Sequence, residues 1–328
     1  MVIEPGEQVS QVSRRNAAEL ALVFNTLVWG ATFILVKLAL GGISPLLFLA
    51  LRFSLATAVL ALFLRKPLTR RGAWKGAGAG MLVGSFLFLG YLFQTLGLRL
   101  TSAPKSAFIT GLTSIMVPLL GSFVYRNRPL ISEWLGILTA TAGLALMTLP
   151  DTGAPGTGLF GTGLFGTGLL GTKAPGAGLA GNAAINWGDV LTFFCAIAFA
   201  AHIVTLGHFS RRMGFELLSV TQVGTAAVLS LALCGWTETP YVEWRPAVVS
   251  GILVTGLFAT ALAFTVQAWA QQFTTHTRTA LIYMLEPVVA WATSYLLAGE
   301  GLSRRAAAGA ALILGGVLLV ELKPLSQR

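Results

Sequence analysis

The stretch Pro45–Leu64 reads PLLFLALRFSLATAVLALFL, twenty residues that include one charged side chain, Arg52. At a rise of 1.5 Å per residue this stretch forms a helix about 30 Å long, which matches the hydrocarbon thickness of a bilayer. Lipid offers the backbone no outside hydrogen-bond partner, so a helix is the conformation that satisfies it there. The stretch therefore predicts a membrane-spanning helix that carries one cation.

The rest of the chain has the same character. Hydrophobic residues make up 55% of the 328 residues and charged residues 10%, whereas soluble domains carry about 25% charged residues. This composition excludes soluble, collagen-like, disordered and disulfide-stapled proteins. Cys195 and Cys234 both fall within apolar segments, where a free cysteine acts as a small hydrophobe, so we predict neither a disulfide nor a metal site.

Ten segments of this kind occur along the chain. They are 18–40, 45–64, 76–98, 104–125, 130–149, 187–208, 214–236, 247–269, 279–298 and 306–321. The polar residues before the first segment contain no small-residue cleavage site of a secretory signal, so we expect that segment to be retained. The pattern predicts an all-α integral membrane protein with ten transmembrane helices.

Lysine and arginine are distributed unevenly between the connecting loops. With a cytoplasmic N-terminus, fourteen of the 22 basic residues face the cytoplasm, six lie outside, and Lys37 and Arg52 fall within segments. This bias predicts that both termini are cytoplasmic, in a multi-pass protein of the cytoplasmic (inner, plasma) membrane. The net charge of +10 is then mainly a topology signal, and we predict no nucleic-acid partner.

The two halves of the chain resemble each other. A shift of 173 residues aligns Gln94 with Gln267, Lys105 with Arg278, Gly136 with Gly309 and Gly143 with Gly316, and a shift of 170 aligns Arg52 with Gln222. Each half holds five segments, an odd number, so the second copy enters the membrane from the opposite side. The sequence thus predicts two inverted five-helix repeats.

The chain accordingly divides into five parts. They are a cytoplasmic N-terminal tail (1–17), a first repeat (18–149), a Gly-rich linker (150–186), a second repeat (187–322) and a cytoplasmic C-terminal tail (323–328). The linker contains GTGLF twice and GTGLL once, a composition typical of a flexible spacer. The alternative is that its Leu-Phe pairs touch the membrane surface.

Several motifs resemble those of EamA-type transporters in the drug/metabolite transporter superfamily. They are Asn25–Phe33 (NTLVWGATF), Leu51-Arg52, Gln94, Gln267 and Leu285–Val288 (LEPV). The resemblance covers residues 18–322 apart from the linker, and it implies a ten-helix carrier with a central cavity that exports or exchanges small polar metabolites such as amino acids. One departure is Asn127, which stands where the second copy has Glu300.

Polar side chains at membrane depth mark the candidate site, because they are costly to insert. Glu286 lies seven residues into the ninth segment, with Tyr283 on the same helix face. The 173-residue shift aligns Tyr283 with Thr110 and Glu286 with Thr113. We therefore expect two symmetry-related polar stripes that face a shared cavity.

The two deep charges each have two interpretations. Glu286 either anchors the bend at Pro287 or binds a substrate ammonium group or a coupling proton. Arg52 either pairs with helix-end carbonyls or Glu286, or binds a substrate carboxylate. Lys37 lies near a segment end, where we expect its ammonium group to reach the interface.

The remaining candidates are also open between two roles. Trp29 either packs or stacks on the substrate, and His202 either bonds between helices or relays a proton. Tyr91, Gln94 and Gln267 either line the cavity or bond between helices. The predicted substrate-binding residues are Trp29, Arg52, Tyr91, Gln94, Thr110, Thr113, His202, Gln267, Tyr283 and Glu286.

These features predict a secondary active transporter, an exporter or exchanger, that moves a small polar organic metabolite such as an amino acid by alternating access. No ATP-binding motif occurs, so a proton or counter-substrate is the expected energy source. We predict no cofactor, metal or catalytic residue, and a homodimer is left open. The alternatives are an exchanger of phosphorylated metabolites or nucleotide sugars, which needs two or more deep cations, and a non-transporting membrane sensor or scaffold. A membrane enzyme would need a nucleophile with a base or a metal-ligand cluster, which the three histidines do not form.

Overall fold

The computed structural model describes residues 5–65, 76–98, 100, 109–126, 129–148, 187–298 and 304–321. The regular secondary structure of these residues is helical, apart from one isolated bridge between Ile43 and Val242. The helices are α1 (Pro5–Leu40), α2 (Pro45–Phe63), α3 (Ala77–Leu98), α4 (Thr113–Tyr125), α5 (Ile131–Thr148), α6 (Trp187–Ser210), α7 (Phe215–Thr237), α8 (Pro246–Gly256), α9 (Ala263–Ala270), α10 (His276–Tyr283), α11 (Glu286–Ala298) and α12 (Arg304–Glu321). A π-helical turn, Leu257–Leu262, joins α8 to α9.

The all-helical prediction is confirmed. Five described helical segments are long and apolar enough to cross a membrane: Pro45–Phe63, Ala77–Gly97, Trp187–Ser210, Phe215–Thr237 and Pro246–Ala270. Ile109–Tyr125 and Ile131–Met147 are shorter apolar helices. The linker, the C-terminal tail, Asn127 and the side chain of Lys37 lie outside the described part of the chain.

Four predicted segments differ from the observed helices: the fourth is interrupted at Leu112, the eighth contains the π-helical turn, and the first and ninth differ as follows. Helix α1 begins at Pro5 and not at residue 18. Proline is favoured in a first helical turn, and Glu7, Gln8, Gln11, Arg14 and Arg15 favour a helix in water as well. The ninth segment is divided into α10 and α11 at Met284 and Leu285. Pro287 has no N–H to offer the carbonyl of Tyr283, and its ring crowds that carbonyl, which favours a break there.

Helices from the two halves interleave. Helix α3 packs against α6 and α7, helix α2 packs against α7, and one apolar cluster that includes Phe53, Leu87, Val223 and Phe264 lies between α2, α3, α7 and α9. Helix α1 contacts α8, α9, α10 and α11. The middle of the bundle is therefore lined by residues from both halves of the chain.

Helices α5 and α12 form a tight antiparallel pair. A Cβ atom added to Gly143 would lie 2.5 Å from the carbonyl oxygen of Gly309, and one added to Gly316 would lie 2.6 Å from that of Gly136. Backbones approach this closely only where neither residue has a side chain. The pair packs its apolar face on Leu281 and Met284 at the break between α10 and α11, so it supports that break from outside.

Candidate functional site

The guanidinium group of Arg52 is buried on α2, with 5% of the residue exposed. Its Nε donates to Thr260 Oγ1 at 2.6 Å, and its Nη2 donates to Tyr91 Oη and to the carbonyl of Ala259, both at 3.2 Å. Nη1 has no hydrogen-bond partner among the described residues. Arg52 is thus fixed in place by α3 and the π-helical turn while one of its nitrogens remains available.

The π-helical turn creates the acceptor that holds Arg52. In an α-helix the N–H of Ala263 would donate to Ala259, but here it donates to Phe258 and Thr260. The freed carbonyl of Ala259 accepts from Trp29 Nε1 at 2.8 Å as well as from Arg52. Turns of this kind often occur at functional sites because they redirect backbone groups. Trp29 and Arg52 are therefore oriented by one oxygen atom.

Aromatic rings surround this polar group. The ring of Trp29 lies 4.9 Å from that of Tyr283 and 5.6 Å from that of Phe264, measured between centroids. Tyr91 makes edge contacts with Phe199 at 5.4 Å, and its ring centroid lies 5.0 Å from Cζ of Arg52. A cation over an aromatic face is stabilised by the ring quadrupole, so Tyr91 supports Arg52 through both its ring and its hydroxyl.

Glu286 is the first residue of α11 and is partly buried. Its carboxylate interacts electrostatically with Arg52, Tyr91 and Tyr283. No ion pair within 4.0 Å joins Glu286 to any described cation. The N-terminal end of a helix also favours a negative charge. The site therefore holds two opposite charges that are close enough to interact but not in contact.

His202 lies on the other side of Phe264. Its Nε2 and Oε1 of Gln222 are 2.9 Å apart, and Gln222 Nε2 donates to the carbonyl of Phe264 at 3.5 Å. The imidazole also meets the ring of Phe264 edge-on at 5.8 Å. These contacts favour the interhelical hydrogen-bond role for His202, and a proton relay stays a prediction.

The two threonines of the predicted second stripe face α6. Thr113 Oγ1 donates to the carbonyls of Thr110 and Ala196, at 2.6 and 3.3 Å, and Thr110 Oγ1 lies 3.9 Å from Cys195 Sγ. Their hydroxyl groups are therefore used between helices. Cys195 lies within electrostatic range of Tyr91, so the stripe borders the site without contacting Arg52.

Gln94 and Gln267 each lie about one helical turn after an aromatic residue of the site. Gln94 lies three residues after Tyr91 and is partly exposed, whereas Gln267 lies three residues after Phe264 and is 1% exposed. Oε1 of Gln267 has no hydrogen-bond partner among the described residues. Buried amides with free acceptors are uncommon, and a cavity-lining role for Gln267 stays a prediction.

Sequence reasoning missed three members of this arrangement. Asn25 Nδ2 donates to the carbonyl of Ala263 at 2.7 Å, beside Tyr283. Its signal was present, because an asparagine seven residues into the first apolar segment is as costly to insert as other deep polar groups. Gln222 had a signal in its alignment with Arg52. The carbonyl of Ala259 had none, since its role depends on the π-helical turn.

Apolar helices that enclose a buried arginine, a carboxylate and a ring of aromatic side chains define a multi-pass membrane protein with a polar centre. A family model described as the EamA-like transporter family matches residues 16–149 and again 186–322. The chain belongs to this family, and it is a membrane transporter.

Relatives and a solved structure agree with this assignment. An uncharacterized transporter of Archaeoglobus fulgidus is 31% identical over 310 residues, covering 94% of this chain and 87% of that protein. The uncharacterized transporter YoaV of Bacillus subtilis is 23% identical over 92% of this chain and 95% of its own length. A crystal structure of a protein that is 20% identical matches 94% of this chain and 97% of that chain with a TM-score of 0.71, a likeness that concerns the fold alone.

Proposed function

We propose that this protein is a secondary active transporter that exports or exchanges a zwitterionic metabolite of amino-acid type by alternating access. Its ten transmembrane helices form two inverted five-helix repeats in the cytoplasmic membrane, with both termini on the cytoplasmic side. A proton or a counter-substrate supplies the energy. The candidate substrate-binding residues are those gathered around Arg52 and Glu286.

Three pairs of features support the inverted repeats. The helix irregularities at Leu112 and Leu285 are 173 residues apart, the same spacing as the sequence repeat. The glycine contacts on α5 and α12 exchange when the repeats are exchanged, because Gly136 aligns with Gly309 and Gly143 with Gly316. Contacts that map onto each other in this way indicate a two-fold relation between the halves.

The aromatic contacts follow the same relation. Trp29 aligns with Phe199 and Tyr91 aligns with Phe264. Correspondingly, Trp29 meets Phe264 at 5.6 Å and Phe199 meets Tyr91 at 5.4 Å. The two interfaces between the halves are thus built from equivalent positions, which supports a site that faces either side of the membrane in turn.

The separated charges of Arg52 and Glu286 carry the assignment of substrate class. Arg52 has a free Nη1, and Glu286 has no ion-pair partner among the described residues. A zwitterion placed between them would present its carboxylate to Nη1 and its ammonium group to Glu286. Both contacts gain strength in an environment of low dielectric constant, while the rings of Trp29 and Tyr283 contact the side chain of the metabolite.

Counterflow into proteoliposomes tests the proposal. Vesicles preloaded with single unlabelled amino acids are expected to accumulate the same radiolabelled amino acid. Glu286→Gln is expected to reduce this uptake at least about tenfold, since one contact with a charged group is worth about 1.5–3 kcal/mol. Glu243→Gln, in an exposed loop, is the matched control and is expected to leave uptake unchanged.

The competing functions give different results in the same assay. Uptake of phosphorylated sugars or nucleotide sugars without amino-acid uptake would replace the proposal with the exchanger alternative. Ligand binding without flux would identify a sensor. Unchanged amino-acid uptake by Glu286→Gln would remove Glu286 from the site.

A further inference from the structure

Glu19 of α1 and Arg278 of α10 form a buried ion pair away from the candidate site. Glu19 Oε1 lies 2.9 Å from Arg278 Nη1, and the two residues are 7% and 2% exposed. Thr274 Oγ1 donates to the same carboxylate oxygen at 3.1 Å, and Arg278 Nη2 donates to the carbonyl of Val320 at 3.4 Å. The pair therefore connects α1, α10 and the end of α12.

The ion pair lies between the site and one end of the bundle. Glu19 precedes Trp29 by ten residues and Arg278 precedes Glu286 by eight, which correspond to about 15 and 12 Å along the helices. Both residues are displaced in the same direction, towards the end of the bundle where α1 and α10 begin. We call this end the Glu19 end.

An apolar layer separates the ion pair from the site. Leu22 of α1, one helical turn nearer to Trp29 than Glu19, belongs to one apolar cluster with Ala270 of α9 and Ile282 of α10, and all three side chains are fully or almost fully buried. Tyr283, a member of the site, packs against this layer from the other side. The route from the site to the Glu19 end is therefore closed twice, first by apolar side chains and then by the ion pair.

A buried ion pair contributes little net free energy to folding. Removing two charges from water costs about as much as their attraction returns, and apolar residues of similar size often serve as well or better. The pair has a different property that apolar residues lack. When water enters the route between the site and the Glu19 end, it solvates both charges. The ion pair therefore separates when the route is hydrated and forms again when the route is dry.

The internal repeat places a second acid and a second base at equivalent positions. A shift of 170 residues aligns Glu19 with Asp189, and the shift of 173 aligns Arg278 with Lys105. Asp189 is buried in the first turn of α6. Lys105 lies outside the described residues, so the equivalence is one of sequence position alone.

We propose that the Glu19–Arg278 ion pair is a gate that must separate before the site opens towards the Glu19 end. This inference rests on the alternating-access part of the proposed function. It assigns Glu19, Thr274 and Arg278 a role in gating, through their contacts with one another.

Accessibility of a single cysteine tests the gate without any substrate. In a background with Cys195→Ala and Cys234→Ala, the reporter is Asn25→Cys, which lies between the apolar layer and Trp29 and is fully buried. A membrane-impermeant maleimide is added to sealed vesicles from the face that holds the Glu19 end. Glu19→Gln and Arg278→Gln are each expected to raise the labelling rate at least about fivefold, the effect of a population shift of about 1 kcal/mol.

The matched control is Glu243→Gln, which neutralises one partner of the exposed ion pair between Glu243 and Arg245. It is expected to label at the unmodified rate. Thr274→Val is a milder gate variant, because it removes one hydrogen bond to Glu19 and keeps both charges. An intermediate rate is expected, and this variant decides the matter if neither charge-neutralising variant folds.

Labelling of folded Glu19→Gln, Arg278→Gln and Thr274→Val at the control rate would overturn the gate. A lower melting temperature with unchanged labelling would give the pair a structural role only, and it would overturn the gate too. The proposed substrate class is tested independently of the gate. A gate response without amino-acid counterflow would reject the substrate and keep the gate, and the reverse result would reject the gate alone.

Discussion

Thr260 fixes the direction of Arg52 through a single hydroxyl group. Its Oγ1 accepts from Arg52 Nε at 2.6 Å and donates to the carbonyl of Thr255 at 2.8 Å. Thr260→Val keeps the shape and removes both bonds. Because hydrogen bonds to charged groups contribute about 1.5–3 kcal/mol, we expect roughly a tenfold rise in KM for the transported amino acid, measured by counterflow.

The neighbouring Thr265 offers a matched control on the following helix. Its hydroxyl donates to the carbonyl of Ala261, in the π-helical turn, at 2.7 Å. Thr265→Val is expected to change KM less than twofold, since no site residue depends on that bond. Equal KM values for the two variants would mean that Arg52 is oriented without Thr260.

The charged members of the site were predictable from the sequence, whereas their geometry was not. Arg52 and Glu286 stand out because charges deep in apolar segments are expensive to insert. Their separation without contact depends on bonds from Arg52 to Thr260 and Ala259. Those bonds require the π-helical turn, and hydrophobic periodicity gives no signal for one extra residue in a turn.

At the scale of the helices, Pro287 maintains the break between α10 and α11. Pro287→Ala supplies the missing N–H, which can donate to the carbonyl of Tyr283 and join the two helices. Joining the two helices would add an intrahelical hydrogen bond, worth about 0.5–1.5 kcal/mol, so we expect a slightly higher melting temperature in detergent. Glu286 would move with the straightened helix, so we expect at least a tenfold loss of counterflow.

Pro246→Ala separates the break from a general effect of proline. Pro246 also occupies a first turn, that of α8, but extended Arg245 and not a helix precedes it, so no helix can be joined to α8 by supplying the N–H. We expect small changes in melting temperature and counterflow. If Pro287→Ala behaved like Pro246→Ala, packing by Leu281 and Met284 and not the proline would maintain the break.

The positions of the helices were predictable to within a few residues in most cases, because ends of apolar segments coincide with polar loops. The start of α1 was not, since residues 5–17 are polar and an aqueous helix leaves no apolar boundary. The break in the ninth segment was not predicted as a break either. The Leu-Glu-Pro sequence predicted a bend. A break could not be predicted, because the carbonyl of Tyr283 lacks a hydrogen-bond partner only if the chain is helical on both sides of Pro287.

At the scale of the whole molecule, the α5–α12 pair contributes to the stability of the fold without supplying residues to the candidate site. A Cβ atom at Gly316 would lie 2.6 Å from the carbonyl oxygen of Gly136, whereas one at Gly315 would meet no atom within 4 Å. We expect Gly316→Ala to force the helices apart and to lose about 1–3 kcal/mol, measured as a lower melting temperature. Gly315→Ala, the control, is expected to be neutral or to gain up to about 1 kcal/mol.

Because neither helix supplies a charge to the site, the folded fraction of both variants should keep the KM of the unmodified protein. A raised KM for Gly316→Ala alone would show instead that the pair positions Glu286 through the break it supports.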